Sequence, residues 1–113
     1  MDVDDALKRI GGNMGLYIKL LGRFVEDCQL DELEKALKKN EFTEASRMAH
    51  TIKGVAANLS LVKLRAKSAD LELAIGDELK RASAFEEFKK TYGMTVQIIS
   101  DFIAHGYERR SGK

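Results

Sequence analysis

The sequence predicts an all-α protein, an antiparallel up-down four-helix bundle with one or two additional short helices. Apolar residues recur every three or four positions along most of the chain, which is the period of an amphipathic helix. The 113 residues include no proline, and alternating strand patterns are few, so only glycine and short polar residues interrupt the helices. Short links between the longer segments favour antiparallel neighbours, and therefore a bundle.

Size and composition predict one domain over residues 1–113, with a core from about residue 5 to 105 and a frayed C-terminal tail. Hydrophobic residues make up 44% and charged residues 33%, which fits helices with one apolar and one solvated face. A net charge of +1 and the absence of any membrane-length apolar stretch favour a cytoplasmic protein that binds neither nucleic acid nor membrane. The single cysteine, Cys28, is expected to be a small buried hydrophobe.

The first half of the chain contains three predicted helices. Gly11 and Gly12 end the first helix, and Asn13 is expected to cap the second. A break near Gln29 precedes a short third helix that ends at Asn40. The apolar stripes of the three helices are, in order, Val3, Ala6, Leu7 and Ile10; Tyr17, Leu20, Leu21, Phe24 and Cys28; Leu33, Ala36 and Leu37.

Three further helices are predicted in the second half. Thr43 and Ser46 lie where the first of them is expected to start. Ser60 is expected to cap the next helix, which stops at Gly76, and Ser83 to cap the last. Their apolar stripes are Ala45, Met48, Ala49, Ile52, Val55, Ala56 and Leu59; Leu61, Leu64, Ser68, Leu71 and Ile75; Phe85, Phe88, Tyr92, Val96, Ile99 and Ile103.

The helix that starts near Thr43 is predicted to carry a histidine on its outer side. With Ile52 at the centre and about 100° per residue, the apolar stripe spans roughly 60° to either side, and His50 lies about 160° away. His50 should therefore face solvent rather than the core. Lys53 follows one turn later on the flank of the helix, and Gly54 lies directly beneath His50 on the outer face.

These three residue types suit phosphoryl chemistry. A neutral imidazole offers a lone pair near neutral pH, so His50 can accept a phosphoryl group. The Lys53 ammonium, one turn away, can stabilise negative charge on the phosphoryl oxygens. Glycine inside a helix costs about 1 kcal/mol relative to alanine. A bare backbone at Gly54 would let the surface of another protein approach the ring.

Lysine followed by glycine is also a common way to end a helix. The apolar stripe nevertheless continues beyond this pair without a phase slip, at Val55, Ala56 and Leu59. We therefore predict that the helix runs through Gly54 and ends near Asn58.

The segment AHTIKGVAANLSLVKLRAKSADLELA, residues 49–74, resembles the signature of histidine phosphotransfer domains. The earlier segment IGGNMGLYIKLLGRF resembles the N-terminal helix of that family, so the resemblance extends from about residue 5 to 103. His-x-x-Lys-Gly becomes a strong signal together with Ala49 before it, the small residues Ala56 and Ala57 and then Asn58 after it, and Leu71-Glu72 in the next helix. Ser60 departs from the glycine that many members carry at the end of this helix.

The resemblance implies that His50 is phosphorylated, that Lys53 stabilises the phosphate and that Gly54 admits a receiver domain. The protein would be a carrier in a two-component phosphorelay, without kinase or phosphatase activity of its own. It would take a phosphoryl group from the aspartate of one receiver and pass it to another, and a hybrid histidine kinase is a further candidate partner. No cofactor or metal is expected on this chain, because Mg²⁺ is expected on the receiver.

The outward residues Thr43, Arg47, Ala57 and Asn58 are either part of a docking surface or simply solvated. An adaptor bundle that binds receivers without phosphotransfer would share the predicted fold. The phosphoacceptor module of a histidine kinase is another alternative. Its sequence pattern resembles a histidine followed by an acidic residue and, a few positions later, a proline, whereas here Thr51 follows His50 and the chain has no proline. The sequence does not favour a metal-dependent catalyst, because it offers no pair of metal ligands around His50. Position 54, four residues after His50, is glycine, and His105 is remote in sequence.

Overall fold

The computed structural model describes residues 1–27 and 29–106, and this part of the chain is helical and contains no strand. The α-helices are α1 Val3–Arg9, α2 Met14–Glu26, α3 Leu30–Lys38, α4 Phe42–Asn58, α5 Val62–Ala74 and α6 Glu78–Asp101, followed by a π-helix at Phe102–Gly106. The all-α prediction is confirmed. The predictions for Cys28 and for the tail beyond residue 106 lie outside the described residues.

Local sequence signals mark the boundaries of the first three helices as expected. Gly11 and Gly12 have φ values of 71° and 81°, which lie in the left-handed region that glycine adopts readily and which end α1. The Asn13 side chain accepts a hydrogen bond from the backbone N–H of Leu16 at 2.9 Å and so caps α2. Asn40 has a φ of 59° in the turn that follows α3.

The cap predictions for α4 and α6 are wrong. α4 begins at Phe42 without a side-chain cap, so Thr43 and Ser46 both lie inside the helix. α6 is capped by Asp77, whose carboxylate accepts from the backbone of the second helical residue at 2.9 Å, and Ser83 lies inside the helix. Aspartate caps helices as well as serine does, and Asp77 comes first after the preceding turn.

Ser60 ends α4 and does not cap α5. Its φ of 56° lies in the left-handed region, which glycine adopts more readily than serine. The backbone N–H groups of Ser60 and Leu61 donate to the carbonyls of Ala57 and Ala56, at 3.2 and 2.8 Å, and satisfy the end of the helix. The Ser60 hydroxyl also donates to the carboxylate of Asp5 at 2.6 Å, which ties α1 to this turn.

The helices share one hydrophobic core. α5 packs against both α4 and α6, α3 packs against α4, and α2 packs against α6. The Tyr17 hydroxyl, inside the core, donates to the carbonyl of Leu59 at 2.9 Å and so anchors α2 to the end of α4. The largest fully buried side chains are Tyr17, Tyr92, Phe88, Leu21, Leu33, Leu61, Leu64, Leu71 and Ile99.

One member of the predicted core stripe of α4 lies outside the core. Val55 is 38% exposed, whereas Ile52 and Ala56 on the same helix are buried. Val55 lies about 60° from the centre of the stripe, at its edge, where a groove rather than a neighbouring helix faces it. Within residues 1–27 and 29–106, no helix combines the length and apolar character needed to cross a bilayer.

Candidate functional site

His50 lies in the middle of α4 with 67% of its side chain exposed. The orientation follows from its neighbours, because Ala49 and Ile52 are buried in the core and fix which side of the helix faces inward. The helix continues through Gly54 to Asn58, as the uninterrupted apolar stripe predicts. The helical register therefore presents the imidazole to solvent.

A carboxylate on the neighbouring helix holds both His50 and Lys53. Glu72, on α5, places Oε2 at 3.0 Å from Nδ1 of His50 and Oε1 at 2.8 Å from Nζ of Lys53. The Lys53 side chain is 32% exposed and that of Glu72 25% exposed, so the pair lies on the flank between α4 and α5. The three side chains form one connected cluster, which we call the α5 flank of the site.

The protonation states in this cluster follow from the charges. The hydrogen bond from the Lys53 ammonium holds the pKa of Glu72 below its usual value; partial burial acts in the opposite direction, and the hydrogen bond with His50 lowers it further. Glu72 is therefore an ionised carboxylate, which can only accept hydrogen bonds. In a neutral His50 ring, Nδ1 must then carry the hydrogen and donate it, which leaves the lone pair on Nε2.

The Nε2 atom is available for chemistry. It has no hydrogen-bond partner among the residues that the structure describes. The carboxylate at Nδ1 orients the ring and can stabilise positive charge that develops on it, as a carboxylate behind a histidine does in many catalytic sites. The arrangement can therefore deliver an oriented nitrogen nucleophile.

Nothing within the described residues requires glycine at position 54. Gly54 is exposed, has no left-handed φ, and a Cβ atom added to it would meet no other atom within 4 Å. Since glycine lowers helix stability, the fold itself would be better served by alanine. Gly54 therefore leaves an open helix surface beneath His50 that the described part of the fold does not need.

The four residues proposed as a docking surface lie on the same outward side of α4. Thr43, Arg47 and Asn58 are exposed and Ala57 is half-buried. Arg47 is ion-paired with Glu44 on the same helix, with its Nε at 3.2 Å from the carboxylate. Arg47 is thus partly neutralised, whereas the other three present hydroxyl, methyl and amide groups.

A groove lies on the opposite flank of α4 from Glu72. It has a volume of about 360 Å³ and is formed mainly by α2 and α4. Its lining residues are Leu20, Arg23, Phe24, Asp27, Gln29, Thr51, Ile52, Val55, Asn58, Leu59 and Tyr92. We call it the α2–α4 groove.

The fold and the site define a small helical module that presents one oriented histidine to solvent. The model of the Hpt domain family matches residues 19–98, more than half of the chain, and the chain therefore belongs to this family. Hpt domains are phosphocarrier modules rather than enzymes; they carry out histidine phosphotransfer in phosphorelays and interact with the receiver domains of response regulators. Neither a curated protein nor a solved structure matches the chain. The family resemblance inferred from the sequence is confirmed.

The contacts of Glu72 were missed by reasoning from the sequence, which noted this residue only as part of the family pattern. One signal was present: α4 and α5 join through a tight turn at Ser60, and residues at similar distances from such a turn lie side by side. Glu72 is 12 positions after Ser60 and His50 is 10 before it. A search for charges opposite His50 would have found Glu72.

Proposed function

We propose that this protein is a histidine phosphotransfer carrier of a multistep two-component phosphorelay. His50 accepts a phosphoryl group from the aspartate of one receiver domain and passes it to the aspartate of another. The observation that carries this proposal is the exposed His50 ring, whose Nδ1 is held at 3.0 Å by the Glu72 carboxylate while Nε2 is left free among the described residues. An exposed histidine oriented in this way suits transfer between proteins better than hydrolysis in a closed pocket.

In the transfer step, Nε2 of neutral His50 attacks the phosphorus of the receiver's aspartyl phosphate. The Nε2–P bond forms as the bond from phosphorus to the aspartyl oxygen breaks, and the aspartate leaves as a carboxylate with the electron pair. The ring keeps its hydrogen on Nδ1 and becomes cationic, so no proton need move during attack. The ionised Glu72 stabilises that cation through its contact with Nδ1. The second transfer reverses these steps onto another receiver.

Lys53 supports the phosphorylated state in this mechanism. Its ammonium lies one helical turn from His50 and is held by Glu72 at 2.8 Å, within reach of a group added to the ring. There it offsets part of the charge on the phosphoryl oxygens. The carrier is proposed to use no cofactor of its own, and Mg²⁺ expected on the receiver would supply further positive charge.

The proposal also covers architecture and docking. The longer helices α2, α4, α5 and α6 form an antiparallel up-down bundle, with α1 and α3 as the additional short helices, and residues 1–113 make one cytoplasmic domain. A receiver approaches over Gly54, where no side chain projects, and touches the outward residues Thr43, Arg47, Ala57 and Asn58. The clearance at Gly54 supports this, since a Cβ there would point into open space.

The experiment is transfer of labelled phosphate from phosphorylated receiver domains. The wild-type protein is expected to acquire an acid-labile, base-stable label that is absent from His50→Ala. The matched control is His105→Ala, which removes the other histidine of the chain and should leave labelling intact. Label that survives in His50→Ala would refute the assignment. Receiver binding without any label on the wild type would favour an adaptor bundle instead.

A further inference from the structure

The outward side of α5 carries a second apolar stripe, opposite the stripe that packs in the core. Its members are Val62, Ala66, Ala69 and Leu73, spaced by four, three and four residues. At about 100° per residue they lie within roughly 60° of one another, on the side away from the buried residues of the helix. This is the spacing of the core positions of a coiled coil. We call these four residues the outer stripe of α5.

The surface around the outer stripe holds the most exposed large apolar side chains of the described residues. Val62, Leu73, Leu79 and Met94 are between 51% and 93% exposed, more than any other large apolar side chain there. Val62 and Met94 line one depression together with Ile98, and Leu79 lies at the other end of α5, on the first turn of α6. A contiguous apolar surface of this kind is typical of a site that another protein covers.

Charged residues border the outer stripe on both sides. Lys63 and Asp70 lie on the side toward α6, and Arg65 and Glu72 on the side toward α4. Lys63, Arg65 and Asp70 are exposed and form no ion pair among the residues that the structure describes. Neither Lys63 nor Arg65 has an acidic residue three or four positions away, so α5 itself cannot pair them.

The apolar residues of the outer stripe match themselves about a two-fold axis. If the axis passes midway between Ala66 and Ala69, two copies of α5 lie antiparallel, with Val62 of each opposite Leu73 of the other. Ala66 of each copy then meets Ala69 of the other in the middle, where small side chains let the two helices approach closely.

The bordering charges match about the same axis. It sets Lys63 beside Asp70 of the second copy on one side, and Arg65 beside Glu72 of the second copy on the other. Every one of these contacts joins opposite charges. A parallel arrangement would instead place no charged residue of α5 beside Lys63, so the charges favour the antiparallel one.

We propose that two copies of this chain associate through the outer stripe of α5, antiparallel about a two-fold axis. The occupant of the exposed stripe is the same stripe of a second copy, which offers both the apolar spacing and the complementary charges. The stripe is about 16 Å long at 1.5 Å per residue, so the contact is smaller than that of a permanent dimer. A dissociation constant on the order of 10–100 μM is expected.

The proposed dimer leaves the histidine of each copy open. On α4, Lys53 lies on the side of His50 that faces Glu72 and α5, and Gly54 lies on the other side. A receiver over Gly54 and a second copy on α5 therefore approach from different sides. The inference does not depend on the proposed function, because it would hold equally for a bundle that carries no phosphoryl group.

The test is sedimentation equilibrium of the full chain, with the variants Lys63→Asp and Asp70→Lys. The wild type should pass from monomer to dimer between about 1 μM and 1 mM. Each variant alone sets like charges against each other in the proposed dimer and should weaken association at least about tenfold. An equimolar mixture of the two variants brings opposite charges together again, and should form a heterodimer with nearly the wild-type affinity.

The matched controls are Lys19→Asp and Glu26→Lys, which make the same charge changes at exposed positions seven residues apart on α2. They should leave association unchanged. Leu73→Ser tests the apolar stripe. Its side chain is 84% exposed, so the variant should associate more weakly while its circular dichroism spectrum and melting temperature stay near those of the wild type.

Three results would overturn the proposal. The first is a wild type that stays monomeric up to about 1 mM. The second is a mixture of the two charge variants that associates no better than either variant alone. The third is weaker association in Asp70→Lys with none in Lys63→Asp, which would contradict the antiparallel arrangement.

Discussion

The two flanks of α4 differ in chemistry although they border the same histidine. On the α5 flank, Glu72 holds His50 and Lys53 at 3.0 and 2.8 Å, and every charge has a partner. On the α2 flank, an open apolar groove is bordered by Arg23 and Asp27, which have no partner among the described residues. The groups that we propose to act on the phosphoryl group contact one another within the chain, whereas the two charges at the groove have no partner among the described residues. One helix therefore separates a connected polar cluster from an open apolar surface.

The largest effect is expected from Glu72→Gln on the α5 flank. The amide can still contact Nδ1 but cannot offset the positive charge of the ring during transfer. Transfer should slow by at least about tenfold, and by less than the roughly 10⁴-fold loss seen when the orienting aspartate of a catalytic triad is replaced. Single-turnover transfer from a phosphorylated receiver measures the rate. Receiver affinity should not change, and a loss of affinity with normal transfer would contradict the separation of the flanks.

A smaller effect is expected from Lys53→Ala on the same flank. Loss of the ammonium removes a charge that stabilises the phosphoryl oxygens, so the phosphorylated form should decay several-fold faster. Decay of labelled protein after removal of the receiver measures this lifetime. The side chain is one-third exposed, so the circular dichroism spectrum should stay helical. A large loss of helicity would assign Lys53 a structural role instead.

Between the flanks, Gly54→Leu should weaken docking without destabilising the fold. A Cβ at this position meets no other atom within 4 Å, and leucine is the better helix former by up to about 1 kcal/mol. The melting temperature should equal or exceed that of the wild type by a few degrees, while receiver affinity falls. Differential scanning calorimetry measures the melting temperature, and isothermal titration calorimetry measures the affinity for the receiver. A lower melting temperature with intact docking would mean that the glycine serves the fold.

The smallest expected effect is a pH dependence of stability from the α5 flank. Because the pKa of Glu72 is lower in the folded protein than in the unfolded chain, its contacts stabilise the fold fully above the unfolded value. This contribution is lost as the pH falls through the folded value. The difference in melting temperature between wild type and Glu72→Gln should therefore shrink from pH 7 to pH 3. A difference that is constant over this range would contradict the ionised state of Glu72.

Local patterns predicted much of this molecule, and contacts between helices account for most of what they missed. The register around Ile52 is a property of one helix, so the outward position of His50 followed from it. The pairing of His50 with Glu72 depends on how α4 and α5 lie against each other, which no single-helix pattern contains. Val55 was misassigned to the core because it lies at the edge of the apolar stripe of α4. Whether a residue at that edge is buried depends on the position of α2, which the pattern of α4 does not contain.

Cap residues show the limit of local prediction in another way. Ser60 and Ser83 are suitable caps by residue type, as Asn13 is, yet only Asn13 serves as one. Ser60 is used in the left-handed turn that ends α4, and Asp77 starts α6 before Ser83 is reached. Residue type indicates what a position can do, and the length of the preceding turn decides what it does.

The most direct test of the account is to determine which nitrogen of His50 carries the phosphoryl group. Long-range ¹H–¹⁵N correlation spectra of the ring, recorded before and after phosphorylation by a receiver, identify the nitrogen that carries each substituent. We predict hydrogen on Nδ1 in the neutral ring and phosphorus on Nε2 in the product. Phosphorus on Nδ1, or hydrogen on Nε2 in the neutral ring, would contradict the role assigned to Glu72 and with it the proposed mechanism.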